Sequence, residues 1–369
     1  MGRALIDRRD FLRAAGLGFA ASLTPVARAR AQNADAVFAT AYQRRDGAFG
    51  AAILTDAGAI LKTIDLPDRG HDVTFDPVFR RSVVFARQPG TFMVVFDHAG
   101  DAPPVTIASA PGRHFFGHGV FSRGGRLLYA TENDFDSAAG MVGVYDATDG
   151  FRRIGEFPTH GVGPHELLLM PDGNTLAVCN GGIETHPDFG AAKLNIATME
   201  PSFVLIDRRS GDLVEKHVLP REWHKLSIRH MDLDDDGAVW FGCQHEGPAT
   251  ERPALVGRAV PGEPLDMIEM PDEVLSGFRN YIGSVAANRQ AGTVAVSSPQ
   301  GNQWAVIDAA TGKVLGTERL VEVCGLAPAG PGFVATTGGG LVRAPDGTLR
   351  ENAAYVWDNH LLRIEALEG

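Results

Sequence analysis

Residues 161–180 read GVGPHELLLMPDGNTLAVCN. A loop bearing glycine and proline runs into His165, which opens a short apolar stretch. Pro171-Asp172-Gly173-Asn174 then turns the chain, and Thr175 to Cys179 returns as a second apolar run. Pro, Asp, Gly and Asn in succession are turn chemistry: proline presets φ, aspartate bonds the backbone two residues on, and Gly and Asn accept positive φ. Two short β-forming runs around such a turn read as a hairpin, and this one carries a histidine at its entrance.

The same arrangement recurs along the chain. His71-Asp72-Val73, His118-Gly119-Val120 and His230-Met231-Asp232 open equivalent stretches, and further units begin near Gly283 and at Cys324. Each continues into two more short runs, such as Ser82 to Ala86 and Thr91 to Phe96 in the first unit. In the sixth unit the runs are Phe333 to Thr337 and Tyr355 to Trp357. A repeat of roughly 40–50 residues made of short strands marks a β-propeller. The N-terminal runs Val37 to Tyr42, Gly50 to Leu54 and Ile60 to Leu66 lack a first strand, and His360 to Ala366 can supply it. The expected fold is all-β, a seven-bladed propeller of four-stranded antiparallel blades forming one domain over 32–369. The aspartates that end third strands, Asp97, Asp146, Asp207 and Asp308, read as turn residues accepting backbone N–H groups.

Residues 1–31 read as an export segment. Arg8-Arg9-Asp10-Phe11-Leu12-Arg13 resembles the twin-arginine motif, Ala14 to Leu23 is a weakly apolar run, and Ala27-Arg28-Ala29 and Ala29-Arg30-Ala31 fit an A-x-A cleavage site. This predicts a periplasmic protein exported in the folded state. Beyond this segment nothing is apolar for long enough to span a bilayer. The net charge of −11 argues against a nucleic-acid or anionic-membrane partner. Three cysteines, Cys179, Cys243 and Cys324, are too few for a disulfide framework.

In a propeller, strand one lines the central channel, so the residues that open it converge. His71, His118, His165, His230 and Cys324 are therefore candidate metal ligands, suited to a transition ion such as iron or copper. The loops sharing that face are rich in polar groups, whereas the opposite face carries plain turns. Arg113, His114, Glu132, Asp134, His160, Glu166, His186, Arg229, His245 and Glu246 are candidates to bind a ligand or to orient the imidazoles. Arg113 and Arg229 bring positive charge, which fits an anionic ligand or salt bridges. A histidine before an inner strand also serves as a hydrogen-bond link between blades, so the bland reading stands beside the metal reading. The largest departure from the repeat, Thr185 to Pro201, reads as a lid or a surface insertion. No nucleophile elbow, phosphate loop or dinucleotide fingerprint is present, so no catalytic residue is assigned.

The runs GRHFFGHGVFS (112–122), TEND (131–134), GVGPHE (161–166), NGGIETHP (180–187), LSIRH (226–230) and VCG (323–325) resemble an exported bacterial family, the "domain of unknown function fifteen-thirteen" group. The resemblance covers essentially the whole chain after the export segment. It implies a seven-bladed, WD40-like propeller. Members often occur beside imelysin-type periplasmic iron-uptake proteins, which implies a role in acquiring metal, iron above all, with such a protein as partner. It supplies no catalytic residues. The competing readings are a lactonase-like hydrolase, in which Glu132, Asn133, Asn180 and Glu246 hold a hard divalent ion, and a non-catalytic scaffold that binds a protein on its loop-rich face.

Overall fold

A computed structural model describes residues 23–32, 34–97, 102–190 and 192–364. The twin-arginine-like motif lies outside the described residues. The two A-x-A sequences fall in a helix, α1 (Pro25–Gln32), whose Ala27 and Ala31 bury with Leu23 against strands of the last blade. Among the described residues, no helix is long and apolar enough to cross a membrane.

The chain then forms seven antiparallel sheets. β1 (Val37–Arg44), β2 (Phe49–Thr55) and β3 (Ile60–Leu66) belong to the blade that closes the ring. The first complete blade holds β4 (Gly70–Asp76), β5 (Arg81–Ala86), β6 (Phe92–Asp97) and β7 (Val105–Ala108). The second holds β8 (Arg113–Phe121), β9 (Leu127–Asp134), β10 (Gly140–Asp146) and β11 (Arg152–Pro158). The third holds β12 (Pro164–Leu169), β13 (Thr175–Asn180), β14 (Ser202–Asp207) and β15 (Leu213–Val218). The fourth holds β16 (Leu226–Leu233), β17 (Val239–His245), β18 (Val256–Ala259) and β19 (Asp266–Met267), and the short helix α2 (Asp272–Gly277) follows it. β20 (Ser284–Asn288), β21 (Thr293–Ser298), β22 (Gln303–Asp308) and β23 (Val314–Arg319) make the fifth. The sixth has β24 (Val323–Ala329), β25 (Gly332–Thr337), β26 (Leu341–Arg343) and β27 (Leu349–Glu351).

The seventh blade takes its innermost edge from the C-terminal end. β28 (Tyr355–Trp357) and β29 (Leu362–Arg363) both pair with β1, at Tyr42↔Trp357 and Phe38↔Arg363. The expected closure holds, with one correction: Tyr355–Trp357 belongs to this blade and not to the sixth. The true third and fourth strands of the sixth blade have only three residues each and no long β-branched run, so periodicity passes over them. Tyr355 and Trp357 are instead drawn to Tyr42, with ring centroids 4.8 and 6.2 Å away.

Burial follows position in the blade. β17 and β20 are buried along their whole lengths, while β11 and β15 alternate toward solvent. Apolar side chains fill the gaps between neighbouring blades, as in the cluster of Phe203, Trp240, Phe241 and Phe278. The third-strand aspartates act as turn residues: Asp146 accepts from Thr148, Asp207 from Arg209 and Ser210, and Asp308 from Thr311.

Candidate metal centre

Five inner strands share an irregularity at their axial ends. Register against strand two slips between Gly70 and Val73 in β4, Phe115 and Gly119 in β8, Pro164 and Glu166 in β12, Ile228 and His230 in β16, and Val323 and Leu326 in β24. β20 pairs without a slip and presents no histidine. A bulge leaves residues unpaired and re-aims their side chains. Here it leaves His71, His118 and His165 unpaired, and in β16 it skips Arg229 and so shifts the alternation at His230. The seventh blade reaches the same result by interruption: the gap between β28 and β29 carries Asp358 and His360. One glycine is required by this packing. Gly117 has φ +104°, and a Cβ there would lie 2.6 Å from His71 Cδ2.

Five imidazoles therefore meet on the axis: His71, His118, His165, His230 and His360, each under a tenth exposed. His118 is the hub. Its ring centroid lies 4.9 Å from His71, 4.8 Å from His165, 6.0 Å from His230 and 4.7 Å from His360. The other four follow one another around it: His71–His165 at 5.9 Å, His165–His230 at 4.7 Å, His230–His360 at 4.8 Å and His360–His71 at 4.7 Å. Two overlapping sets, His71/His118/His165 and His118/His230/His360, bring their ligand atoms within 4.8 Å of one another.

The hydrogen bonding of the ring is incomplete. His118 Nδ1 and Nε2, His165 Nε2, His230 Nδ1 and His360 Nε2 are buried without a hydrogen-bond partner in the protein. An unsatisfied buried polar atom costs about 1–3 kcal/mol. Five together approach the ~5–15 kcal/mol net stability of a whole domain, so the cluster is not there for stability. Burial, reinforced by neighbouring imidazoles, lowers the pKa of His118, His165 and His230 well below the ordinary histidine value, and His360 is lowered chiefly by burial. Neutral imidazoles with free lone pairs are what a transition ion needs, so the donor set fits such a metal.

Carboxylates stand against the ring, each reaching across a blade boundary. Asp358 Oδ1, from the seventh blade, is 2.8 Å from His71 Nδ1 in the first. Asp72 Oδ2, from the first, is 3.4 Å from His118 Nδ1 in the second. Glu166 Oε2, from the third, is 3.4 Å from His230 Nδ1 in the fourth. The last two are ion-pair distances without hydrogen-bond alignment. Burial raises the pKa of Glu166 well above its usual range and also raises that of Asp72. Burial pushes Asp358 upward too, but Arg87, the His71 bond and Arg69 outweigh it and hold the group far below the carboxylate range.

Four of the five expected ligands thus meet, and Cys324 does not join them. Its Sγ points between the sixth and seventh blades, 3.4 Å from Thr336 O and 3.7 Å from Trp357 O, and burial pushes the thiol up to about 12. The slip in β24 matches the one in β4 that carries His71, but the Cys324 side chain turns toward the seventh blade, where the adjacent Gly325 is backed against His360. His360, Asp358 and Arg87 were not among the sequence candidates for the site. Their signal was the seventh inner strand itself, whose axial residue must occupy the same ring.

The other candidates divide. Glu166 and Arg229 lie at the ring, and Glu246 pairs with Arg229 at 3.6 Å and with Lys193. The rest serve the scaffold. Arg113 bonds Glu156 at 2.7 Å and pairs with Asp134 at 3.1 Å. His114 bonds Phe115 O and Asn133 and stacks on Phe135. Glu132 is buried between Arg153 and the Tyr145 hydroxyl. His160 reaches Gly211 O, His186 caps the short turn at Pro187–Phe189, and His245 pairs with Glu251 at 2.8 Å. The hard-ion set of the hydrolase reading is dispersed: Asn133 holds Thr185 O, and Asn180 holds Thr159 O and Ser202.

Fold and site together define the class, a seven-bladed β-propeller with a buried polyhistidine cluster on its axis. The chain belongs to the family described as "Protein of unknown function (DUF1513)", whose profile matches residues 64–364. No curated protein matches it in sequence. Among solved structures it is similar to Kuenenia stuttgartiensis hydrazine synthase, with 13% identity, TM-score 0.59, and coverage of 85% of this chain and 94% of that one. It is also similar to the Myceliophteria thermophila Cps50 (Swd1) β-propeller domain, with 11% identity, TM-score 0.58, and coverage of 81% and 93%. A chain of a nidogen/laminin complex matches with 14% identity, TM-score 0.50, and coverage of 77% and 93%. At such identities the likeness is one of fold alone.

Proposed function

We propose that this protein is an exported periplasmic propeller that holds a transition metal, iron or copper, in its axial histidine cluster and serves metal acquisition. The observation that carries this reading is the convergence of buried imidazole nitrogens that have no partner in the protein. His71, His118, His165, His230 and His360 would hold the ion, and bound there it would supply Lewis-acid or one-electron chemistry. Asp358 fixes the His71 ring through Nδ1, the part that carboxylates play around metal-ligating histidines, while Asp72 and Glu166 lie at ion-pair distance from His118 and His230. Iron is favoured by the company that members of the family keep with imelysin-type iron-uptake proteins, and such a protein is the proposed partner. The twin-arginine-like leader supports export after folding, when a buried site can already be loaded.

The test is the metal content of natively exported protein, measured by elemental mass spectrometry. Near-stoichiometric iron or copper, lost in a His118→Ala/His165→Ala variant that keeps its β circular-dichroism spectrum, supports the reading. Protein that is metal-free and takes up neither ion would end it.

A further inference from the structure

The rim of the histidine cluster carries positive charge that the metal reading does not use. On one side, Arg69 and Arg87 share a single carboxylate, Asp358, at 2.8 and 2.9 Å. Arg87 Nη1 also lies 3.3 Å from His71 Nδ1, directly beside the ring. On the other side, Arg229 and Lys193 share a single carboxylate, Glu246. Each of these two groups sets two cations against one carboxylate, in a chain whose net charge is −11, while the other carboxylates at the ring, Asp72 and Glu166, face His118 and His230. Arg229 sits next to His230, and its own bonds are poor: Nε meets Ser227 Oγ at 3.2 Å, and Nη2 is 3.6 Å from Glu246. Arg87 touches His71 and Arg229 adjoins His230, and the two rings follow one another through His165 at 5.9 and 4.7 Å, which puts both arginines at the edge of the same cluster. Their side chains are 34% and 17% exposed, so solvent reaches the rim.

Two guanidiniums at the edge of one cluster suit an anion, since their planar forks match carboxylate oxygens. A multivalent cation held by neutral imidazoles adds to the same field and calls for a negative co-ligand. The Thr185–Pro201 insertion forms part of the rim. Thr185 is tied to the first blade by Gln88 Nε2 at 2.9 Å and to the second by Asn133 Nδ2 at 3.0 Å, and Lys193 reaches the fourth.

We propose that the mouth of the cluster binds a small polycarboxylate between Arg87 and Arg229. Metal arriving as an anionic carboxylate chelate would be recognised there before transfer to the ring. Only this delivery role rests on the metal reading; anion binding at the mouth does not.

Citrate is the probe, titrated by calorimetry into chelator-stripped protein and, separately, into protein loaded with iron or copper. The expected result is saturable one-to-one binding to stripped protein that weakens with added salt. It should fall at least tenfold in Arg87→Gln and in Arg229→Gln and be largely kept in Arg229→Lys. If Arg229→Gln fails to fold by circular dichroism, the more exposed Arg87→Gln decides. Absence of citrate binding, or equal affinity in wild type and both glutamine variants, overturns the proposal. Metal content is read on the same preparations, so a protein that refuses metal but binds citrate through its arginines refutes the metal reading alone.

Discussion

Asp358 Oδ1 lies 2.8 Å from His71 Nδ1 although 287 residues separate the two in sequence. The bond spans the seam where the last blade meets the first, and it fixes an imidazole of the axial cluster. One carboxylate therefore ties the segment between the closing strands to the axial site.

Asp358→Asn keeps the shape and removes the charge that Arg69, Arg87 and His71 share. Breaking a buried charge cluster costs about 3–5 kcal/mol, and losing the carboxylate behind a histidine ligand weakens metal binding by roughly 10–100-fold. Thermal unfolding and a competition titration with a metal indicator should both register the change. An unaltered Tm together with unaltered affinity would mean that the cluster is dispensable.

Gly117→Ala tests whether the bulge in β8 sets the position of His71. The new Cβ meets His71 Cδ2 at 2.6 Å and must also accept φ +104°. A strained backbone of this kind costs about 1–3 kcal/mol, and the imidazole has to move. Gly112→Ala is the control, because Gly112 has φ +73° but open space around it. Gly117→Ala should lose both stability and metal stoichiometry, whereas Gly112→Ala should lose only a little stability. Equal behaviour of the two would contradict this account of the bulge.

Cys324→Ala should leave metal uptake intact. The thiol is buried, faces the Thr336 and Trp357 carbonyls and is pushed up to about 12, so it is neither a thiolate nor on the axis. Native protein should react slowly with a thiol reagent at neutral pH, at the rate set by unfolding. Loss of metal on this substitution would restore the cysteine to the site.

Acid should loosen the outer edge of the second blade early. The bond from Arg113, together with Arg153, lowers the Glu156 carboxyl to about 2 against the opposing effect of partial burial. A depressed folded-state pKa gives stability that is complete above the unfolded value near ~4.3 and is lost as pH falls toward about 2. With allowance for solvent screening, the loss is on the order of 1–2 kcal/mol. Glu156→Gln should remove it, making the stability curve flatter between pH 5 and 2 than in wild type when followed by denaturant titration.

Most of the fold was legible because its signals are local. Turn chemistry such as Pro171-Asp172-Gly173-Asn174 and the histidine at four strand entrances repeat in register, and register converts into ring position. What sequence could not decide was set by long-range pairing. Tyr355–Trp357 looks like any short strand until Tyr42 is found to be its partner. His360 looks like an isolated tail histidine until closure brings it 4.7 Å from both His71 and His118. Cys324 occupies the equivalent point of its own unit, yet its sulfur turns to the Thr336 and Trp357 carbonyls. Polar loop residues such as His114 and Glu132 matched the chemistry of a site but were absorbed by neighbours, Asn133 in one case and Arg153 in the other. Residue type alone does not reveal a partner that comes from another strand.

The closing strands do two jobs that substitution can separate. Trp357, Leu361 and Ile364 are each under a tenth exposed. Burying three such side chains contributes about 5 kcal/mol or more, the scale of the net stability of a domain. Ending the chain at Ala354 should therefore give aggregated protein, because the β1 edge loses both β28 and β29 and stands open for other chains. His360→Ala keeps the strands and removes only the imidazole. It should stay monomeric by size-exclusion chromatography, with wild-type circular dichroism, while its metal affinity falls by at least tenfold. If His360→Ala aggregates like the truncation, the histidine is part of the closure and not of the metal centre.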